Sequence, residues 1–114
     1  MKILDIVTLV NGKILCGDPT TQDQVDYCFA SDLMSDVLTV RRSDFLLMTG
    51  LANVQSIRTA EMSDLQYVLL VRGKEPTADM LDLARENGII LLQSPFSMFK
   101  TSGLLYNAGM QGVY

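Results

Sequence analysis

The chain has 114 residues, 48% of them hydrophobic and 19% charged, which suits one folded unit with a single core and excludes a disordered or low-complexity chain. Its net charge of −4 is concentrated in the first 40 residues, where Lys2 and Lys13 face Asp5, Asp18, Asp23, Asp26, Asp32 and Asp36. The only dense basic pair is Arg41-Arg42, so nucleic acid and anionic membrane are poor partners. With no histidine, a Ser/His/Asp or Cys/His nucleophile, an HExxH zinc site and an imidazole base are excluded, while carboxylate, lysine and magnesium chemistry survive.

Asp5 interrupts the apolar start MKILDIV, which lacks the uninterrupted core of a signal peptide and the length of a membrane span; a cytoplasmic protein is expected. Lys2, Asp5, Thr8 and Asn11 recur every third residue, so residues 2–10 read as a short helix ended by Asn11-Gly12. Lys13 to Cys16 follow as a brief strand, closed by Gly17, Asp18 and Pro19. Alternation over residues 25–30 predicts a strand with Tyr27 and Phe29 facing inward. Cys16 and Cys28 lack a CxxC spacing and read as two small buried hydrophobes rather than a disulfide.

Ser31 is placed to cap a helix running from Asp32 to about Val40, with Leu33, Met34, Val37 and Leu38 as its buried stripe. Asp32 and Asp36 lie one turn apart. They form either a metal or general-base pair or two ordinary surface carboxylates, and the lack of further oxygen ligands favours the second reading. The basic pair Arg41-Arg42 suits the negative end of that helix.

Residues 44–74 organise the chain. Phe45 to Met48 and Tyr67 to Val71 are continuous apolar runs, each followed by a glycine, Gly50 and Gly73, as in parallel strands covered on both faces. Asn53 caps the helix between them. This βαβ unit, with a right-handed crossover, brings Thr49, Gly50, Arg72 and Gly73 to the carboxyl ends of neighbouring strands, where ligands of open α/β sheets bind. Thr77 opens the next helix, with Met80, Leu81 and Ala84 inward and Asn87-Gly88 as its stop. Ile89 to Leu92 form another interior strand. Ser94-Pro95 reads as the N-cap and first residue of the last helix, along which Phe96, Phe99, Gly103 and Tyr106 share a face. Gly103 is a place for close helix contact, and the tail beyond Gly109 reads as frayed unless covered. The seven methionines are mostly core filling.

The fold class is therefore α/β, a three-layer sandwich with a mostly parallel central sheet of four to five strands and helices on both faces. The segments ASDLMSDVLTV, DFLLMTG and YVLLVRGKEPTADMLDLARENGIILLQSPFSMFKTSG, with the terminal helix, resemble the DRTGG domain family over nearly all of residues 1–114, in particular its small stand-alone members. The implied fold is similar to the N-terminal domains of HPr kinase/phosphatase and of the Mur ligases. Leu51-Ala52 stand where the family name calls for Asp-Arg, and Arg72-Gly73-Lys74 where it calls for Thr-Gly-Gly. The resemblance implies a non-catalytic, homodimeric regulatory or accessory module of a bacterial cytoplasm, without cofactor or metal and with an unidentified protein partner. Stand-alone members tend to accompany iron hydrogenase and redox genes in anaerobes.

Two function classes compete. In the first, a regulatory module binds a small anionic ligand, a nucleotide or phosphate-like group, through Thr49, Gly50, Asn53, Arg72, Gly73, Lys74 and Ser94; the helix starts would offer N–H groups and the two cations charge. Ordinary capping and two solvated cations are the plainer reading of the same residues. In the second, a small enzyme uses Asp32 or Cys28 with Lys74 or Arg72, although no motif sets a nucleophile beside a base. Neither GxGxxG nor a Walker A sequence occurs, and a receiver-like phosphorylation domain lacks the paired acids expected after its first strand.

Overall fold

The computed structural model describes residues 1–114. Its chain order is α1 (Ile3–Leu9), β1 (Lys13–Cys16), β2 (Tyr27–Ala30), α2 (Met34–Val37), β3 (Phe45–Thr49), α3 (Val54–Met62), β4 (Tyr67–Leu70), α4 (Ala78–Glu86), β5 (Ile90–Gln93), α5 (Met98–Asn107) and β6 (Gln111–Gly112). The strands form one sheet ordered β1-β5-β4-β3-β2-β6, in which only β1 runs antiparallel to its neighbour.

The apolar runs dictate the centre. All five residues of β3 and all four of β5 are buried, because parallel strands alternate their side chains between two covered faces. Phe45 and Leu47 join Val68, Leu70 and Leu91 on one face, beneath Met34, Val37, Ile57, Ala60, Met80 and Ala84 of α2, α3 and α4. Leu46 and Met48 join Leu69 and Leu92 on the other, beneath Ile3 and Ile6 of α1 and Leu105 of α5. The expected three-layer α/β sandwich is thus formed, with six strands rather than four or five.

The extra strand is β6. The tail read as frayed instead adds two residues in parallel to the edge of β2, with Gln111 opposite Tyr27 and Gly112 opposite Cys28, and it buries Met110. Tyr114 then packs edge-on to Phe29, ring centroids 5.9 Å apart.

Two helices differ from expectation. The one placed at 32–40 shrinks to a single turn, Met34–Val37, capped by Leu33 with no side-chain bond. Ser31 instead accepts from the Leu33 amide at 3.1 Å in a local turn, and Leu33 and Leu38 are exposed. The last helix starts at Met98, capped by Ser97, whose side chain accepts from the Lys100 amide. Ser94 does not cap it, because its buried hydroxyl donates to the Val10 carbonyl at 2.8 Å and accepts from the Phe96 amide at 3.1 Å. On α5 the residues at the helical period that meet the core are Thr101 and Leu105, while Phe99 and Tyr106 are 84% and 74% exposed. Gly103 has open space around it.

Because α2 ends at Val37 with no basic residue in its last turn, Arg41-Arg42 does not serve its negative end, and Tyr27 and Phe29 are half-buried rather than fully inward. The helix-end expectations for α3 and α4 hold closely. Asn53 caps α3 by accepting from the Gln55 amide at 3.0 Å, Thr77 caps α4, and Gly88 takes the left-handed φ of 65° beyond it. Cys16 and Cys28 are free thiols. They sit on strands separated by three others, roughly 19 Å at normal strand spacing, well outside disulfide reach. No helix is long and apolar enough to cross a membrane.

Candidate functional site

The carboxyl ends of β2, β3, β4 and β5 lie at one end of the sheet, because all four run parallel. The Val71 amide donates to the Thr49 carbonyl at 3.0 Å, so Gly50 and Arg72 emerge side by side, as the βαβ reading requires. The end of the sheet then divides into two unlike halves.

Over β2 and β3 the chain supplies its own anion. The Asp32 carboxylate accepts from the Gly50 amide at 2.6 Å and from the Thr49 hydroxyl at 3.0 Å. That hydroxyl in turn accepts from the Leu51 amide at 3.1 Å, fixing the turn after β3. Thr49 is fully buried. Thr49 and Gly50 are therefore gathered at the strand ends, but their donors already serve Asp32. At the helix start beyond them, the Asn53 side chain and carbonyl already accept from the Gln55 and Ser56 amides. Asp32 is not part of a helical acid pair with Asp36, since it precedes α2 and is engaged elsewhere.

Over β4 and β5 the arrangement is cationic. Arg72 and Gly73 follow β4 with φ of 61° and 65°, two consecutive left-handed residues, which turn the chain sharply. The turn is tied from below: the Arg72 amide donates to the Phe96 carbonyl at 2.6 Å and the Gly73 amide to the Ser94 carbonyl at 2.9 Å. The Gln93 side chain donates to the Lys74 carbonyl at 2.7 Å and to Glu75 at 3.3 Å. What this turn presents outward is side chains rather than backbone donors. Neither Arg72 nor Lys74 joins any of the three ion pairs, Met1–Asp26, Arg42–Asp44 and Arg85–Asp82. Nearby, the Lys100 ammonium sits 3.8 Å above the Phe96 ring, a cation–π contact. Ser94 lies under this turn, fully buried, and braces it.

Arg42 is a useful contrast. It makes two bonds to Asp44, at 2.6 and 2.7 Å, and lies 3.8 Å over the Tyr27 ring. Hydrogen bonding to Asp44, then to Tyr27, holds its guanidinium more firmly charged and draws the Asp44 carboxyl below its ordinary value. Its charge is neutralised locally, whereas that of Arg72 is not.

The thiol proposed for covalent chemistry lies elsewhere. Cys28 is in the α1/α5 layer, and burial alone pushes its thiol up to about 12. No cation beside it favours the thiolate, so the electropositive surroundings of a reactive cysteine are missing. Sequence reasoning missed Asp32 as the partner of Gly50, Lys100 and Phe96 as neighbours of the β4 turn, and Gln93 as its brace. The bonds Asp32–Gly50, Gln93–Lys74 and Arg72–Phe96 join residues 18 to 24 positions apart, and no local pattern announces them.

No protein-family model matches the chain, and no curated protein matches it in sequence. Among solved structures, the fold is similar to the CBS and DRTGG domains of the regulatory region of the Clostridium perfringens pyrophosphatase, determined with its activator, diadenosine tetraphosphate. The TM-score is 0.74 at 13% identity, over 91% of this chain and 45% of that one. The fold is thus that of an α/β domain of DRTGG-like architecture. The chain spans less than half the length of that regulatory region, and the likeness is one of fold.

Proposed function

We propose that residues 1–114 form a single DRTGG-like regulatory module, non-catalytic and homodimeric, that binds a small phosphorylated anion over the carboxyl ends of β4 and β5. The observation that carries this reading is the conformation of Arg72. A non-glycine residue with φ of 61° costs about 1–2 kcal/mol relative to an ordinary conformation, and such outliers cluster where function requires a side chain in a fixed place. Here the strained residue carries a guanidinium that no acid neutralises, two positions from Lys74. Arginine presents a fork suited to phosphate and lysine a point charge.

The roles within the site follow from its two halves. Arg72 and Lys74 contact the anion; Gly73 permits the turn, and Ser94 supports it from beneath. Thr49, Gly50 and Asn53 shape the adjoining turn, with Asp32 repelling an anion from that half and confining it to the other. The likeness to a regulatory region solved with diadenosine tetraphosphate supports a nucleotide as the ligand class. Phe96, beneath Lys100, offers an aromatic face for a base.

For self-association, α5 offers Phe99 and Tyr106, exposed on either side of Gly103. Of the first and last helices, α1 buries Ile3 and Ile6 within the chain, so α5 is the one of the two that offers large exposed apolar side chains to a second copy. A cytoplasmic setting and a protein partner in a redox system complete the reading inferred from the stand-alone DRTGG proteins.

Native mass spectrometry of gently purified protein tests subunit number and retained ligand together. A dimer with added mass matching a phosphorylated compound is expected. A monomer, with no gain in mass when nucleotides are added, would overturn the reading. The competing enzyme reading, with Asp32 or Cys28 acting beside Lys74 or Arg72, has its two groups on different tasks: one carboxylate holds a turn and one thiol is held neutral by burial.

A further inference from the structure

We propose that Lys13 and Lys100 extend the anion seat proposed above, on which this reading rests, into a site for a linear polyphosphate of three or more phosphate groups. Lys13, Arg72, Lys74 and Lys100 gather at one end of the sheet in a chain whose net charge is −4, and none of the four joins an ion pair.

Strand register brings Lys13 to the turn after β4. β1 runs antiparallel to β5 with Lys13 opposite Gln93, and directly opposed residues send their side chains to the same face. The Gln93 side chain donates to the Lys74 carbonyl at 2.7 Å, so the exposed Lys13 stands beside the turn on its α4 side. Lys100 approaches from the α5 side. Its ammonium rests 3.8 Å above the Phe96 ring, and the Phe96 carbonyl accepts from the Arg72 amide at 2.6 Å. A cation–π contact at an exposed site is weak; it keeps Lys100 at the turn without neutralising its charge.

Span and charge select the ligand. From the end of β4 to the start of β1 the cations cross two strand spacings, roughly 10 Å. A single phosphate meets one or two of them through charge-assisted bonds, whereas a chain of three or more reaches cations on both sides of the turn. The acids nearest in sequence leave positive charge in excess. Glu75 accepts from Gln93 at 3.3 Å, and Asp79 lines the groove between α3 and α4 with Arg58. Longer phosphate chains also carry more negative charge, so four cations attract them more strongly.

The test is calorimetric titration of the intact chain with pyrophosphate, tripolyphosphate and ATP, in magnesium-free buffer at low salt. Wild type is expected to bind tripolyphosphate about tenfold or more tighter than pyrophosphate. Lys13→Gln and Lys100→Gln remove charge from exposed side chains, and each is expected to weaken tripolyphosphate several-fold while leaving pyrophosphate, held by Arg72 and Lys74, nearly unchanged. Lys2→Gln, beside Gln24 at the amino end of β2, changes neither. Either source of the chain supports the proposal: tighter binding of ATP assigns a nucleotide, tighter binding of tripolyphosphate the free chain. Equal affinity of wild type for pyrophosphate and tripolyphosphate, or lysine variants that weaken both alike or neither, overturns the extended site and leaves the Arg72 and Lys74 seat standing. Binding of none of the three overturns both.

Discussion

The Asp32 carboxylate and the Gly50 amide are joined by a hydrogen bond of 2.6 Å, across 18 residues of sequence. This contact pins the end of β2 to the end of β3 and places a fixed negative charge at the mouth of the strand ends. Asp32→Ala leaves that amide and the buried Thr49 hydroxyl without their acceptor, at an expected cost of about 1–2 kcal/mol. Asp32→Asn keeps an acceptor and costs less. Urea unfolding reads the difference as a lower midpoint at constant slope; equal midpoints for Asp32→Ala and wild type would remove Asp32 from its bracing role. The asparagine variant is also expected to bind anions several-fold more tightly, since a like charge has gone.

Arg72 sets stability against function. Arg72→Gly relieves the left-handed strain at φ 61° at the cost of a more flexible unfolded chain, for a net gain of up to about 1 kcal/mol. The same change deletes a cation from the proposed seat, so anion affinity falls while the unfolding midpoint rises or stays level. A fall in both would mean that the side chain serves the fold.

Ser94 separates the two kinds of role in the other direction. Its hydroxyl links the end of α1 to the loop before α5 across 84 residues. Ser94→Ala strands the Val10 carbonyl and the Phe96 amide in a buried setting, with an expected loss of about 1–3 kcal/mol. Ligand affinity, measured where the variant is fully folded, changes little, because the hydroxyl is sealed beneath the turn. A large loss of affinity in a variant of normal stability would put Ser94 in contact with the ligand.

Alkaline pH loosens the fold. Burial pushes the Cys28 thiol up to about 12 from an ordinary value near 9, and burial with the Asp23 hydrogen bond pushes the Tyr67 phenol up to about 12 from 10. The unfolded chain sheds these protons first, so it binds fewer than the folded chain between pH 9 and about 12, and stability falls with rising pH across that window. Below pH 9 both states keep both protons and the effect vanishes. Cys28→Ala is expected to flatten the early part of the decline in a series of urea titrations. The same burial predicts thiol labelling at neutral pH that is slow until denaturant opens the chain.

The fold was legible where the information is local. Phe45 to Met48 and Tyr67 to Val71 announce buried parallel strands by their unbroken apolar character, and Asn53, Thr77 and Gly88 mark helix ends by chemistry that acts within three residues. The misreadings have a common cause. Ser94-Pro95 carries the chemistry of a helix start, yet the hydroxyl finds a better partner in Val10, far away in sequence. Gln111 and Gly112 are too short and polar to read as a strand, and pair only because the edge of β2 is beside them. The site was half legible for the same reason: the strand ends were placed by the βαβ pattern, while the division into an Asp32-filled half and a cationic half depends on long-range contacts.

The central claim is tested most directly by calorimetric titration of wild type and an Arg72→Ala/Lys74→Ala variant with diadenosine tetraphosphate, ATP and inorganic pyrophosphate at low salt. Binding of at least one of these by wild type is expected, weakened by about tenfold or more per cation removed and weakened again by added salt. Absence of binding to all three, or affinities that the double substitution leaves unchanged, would contradict a phosphate seat over β4 and β5.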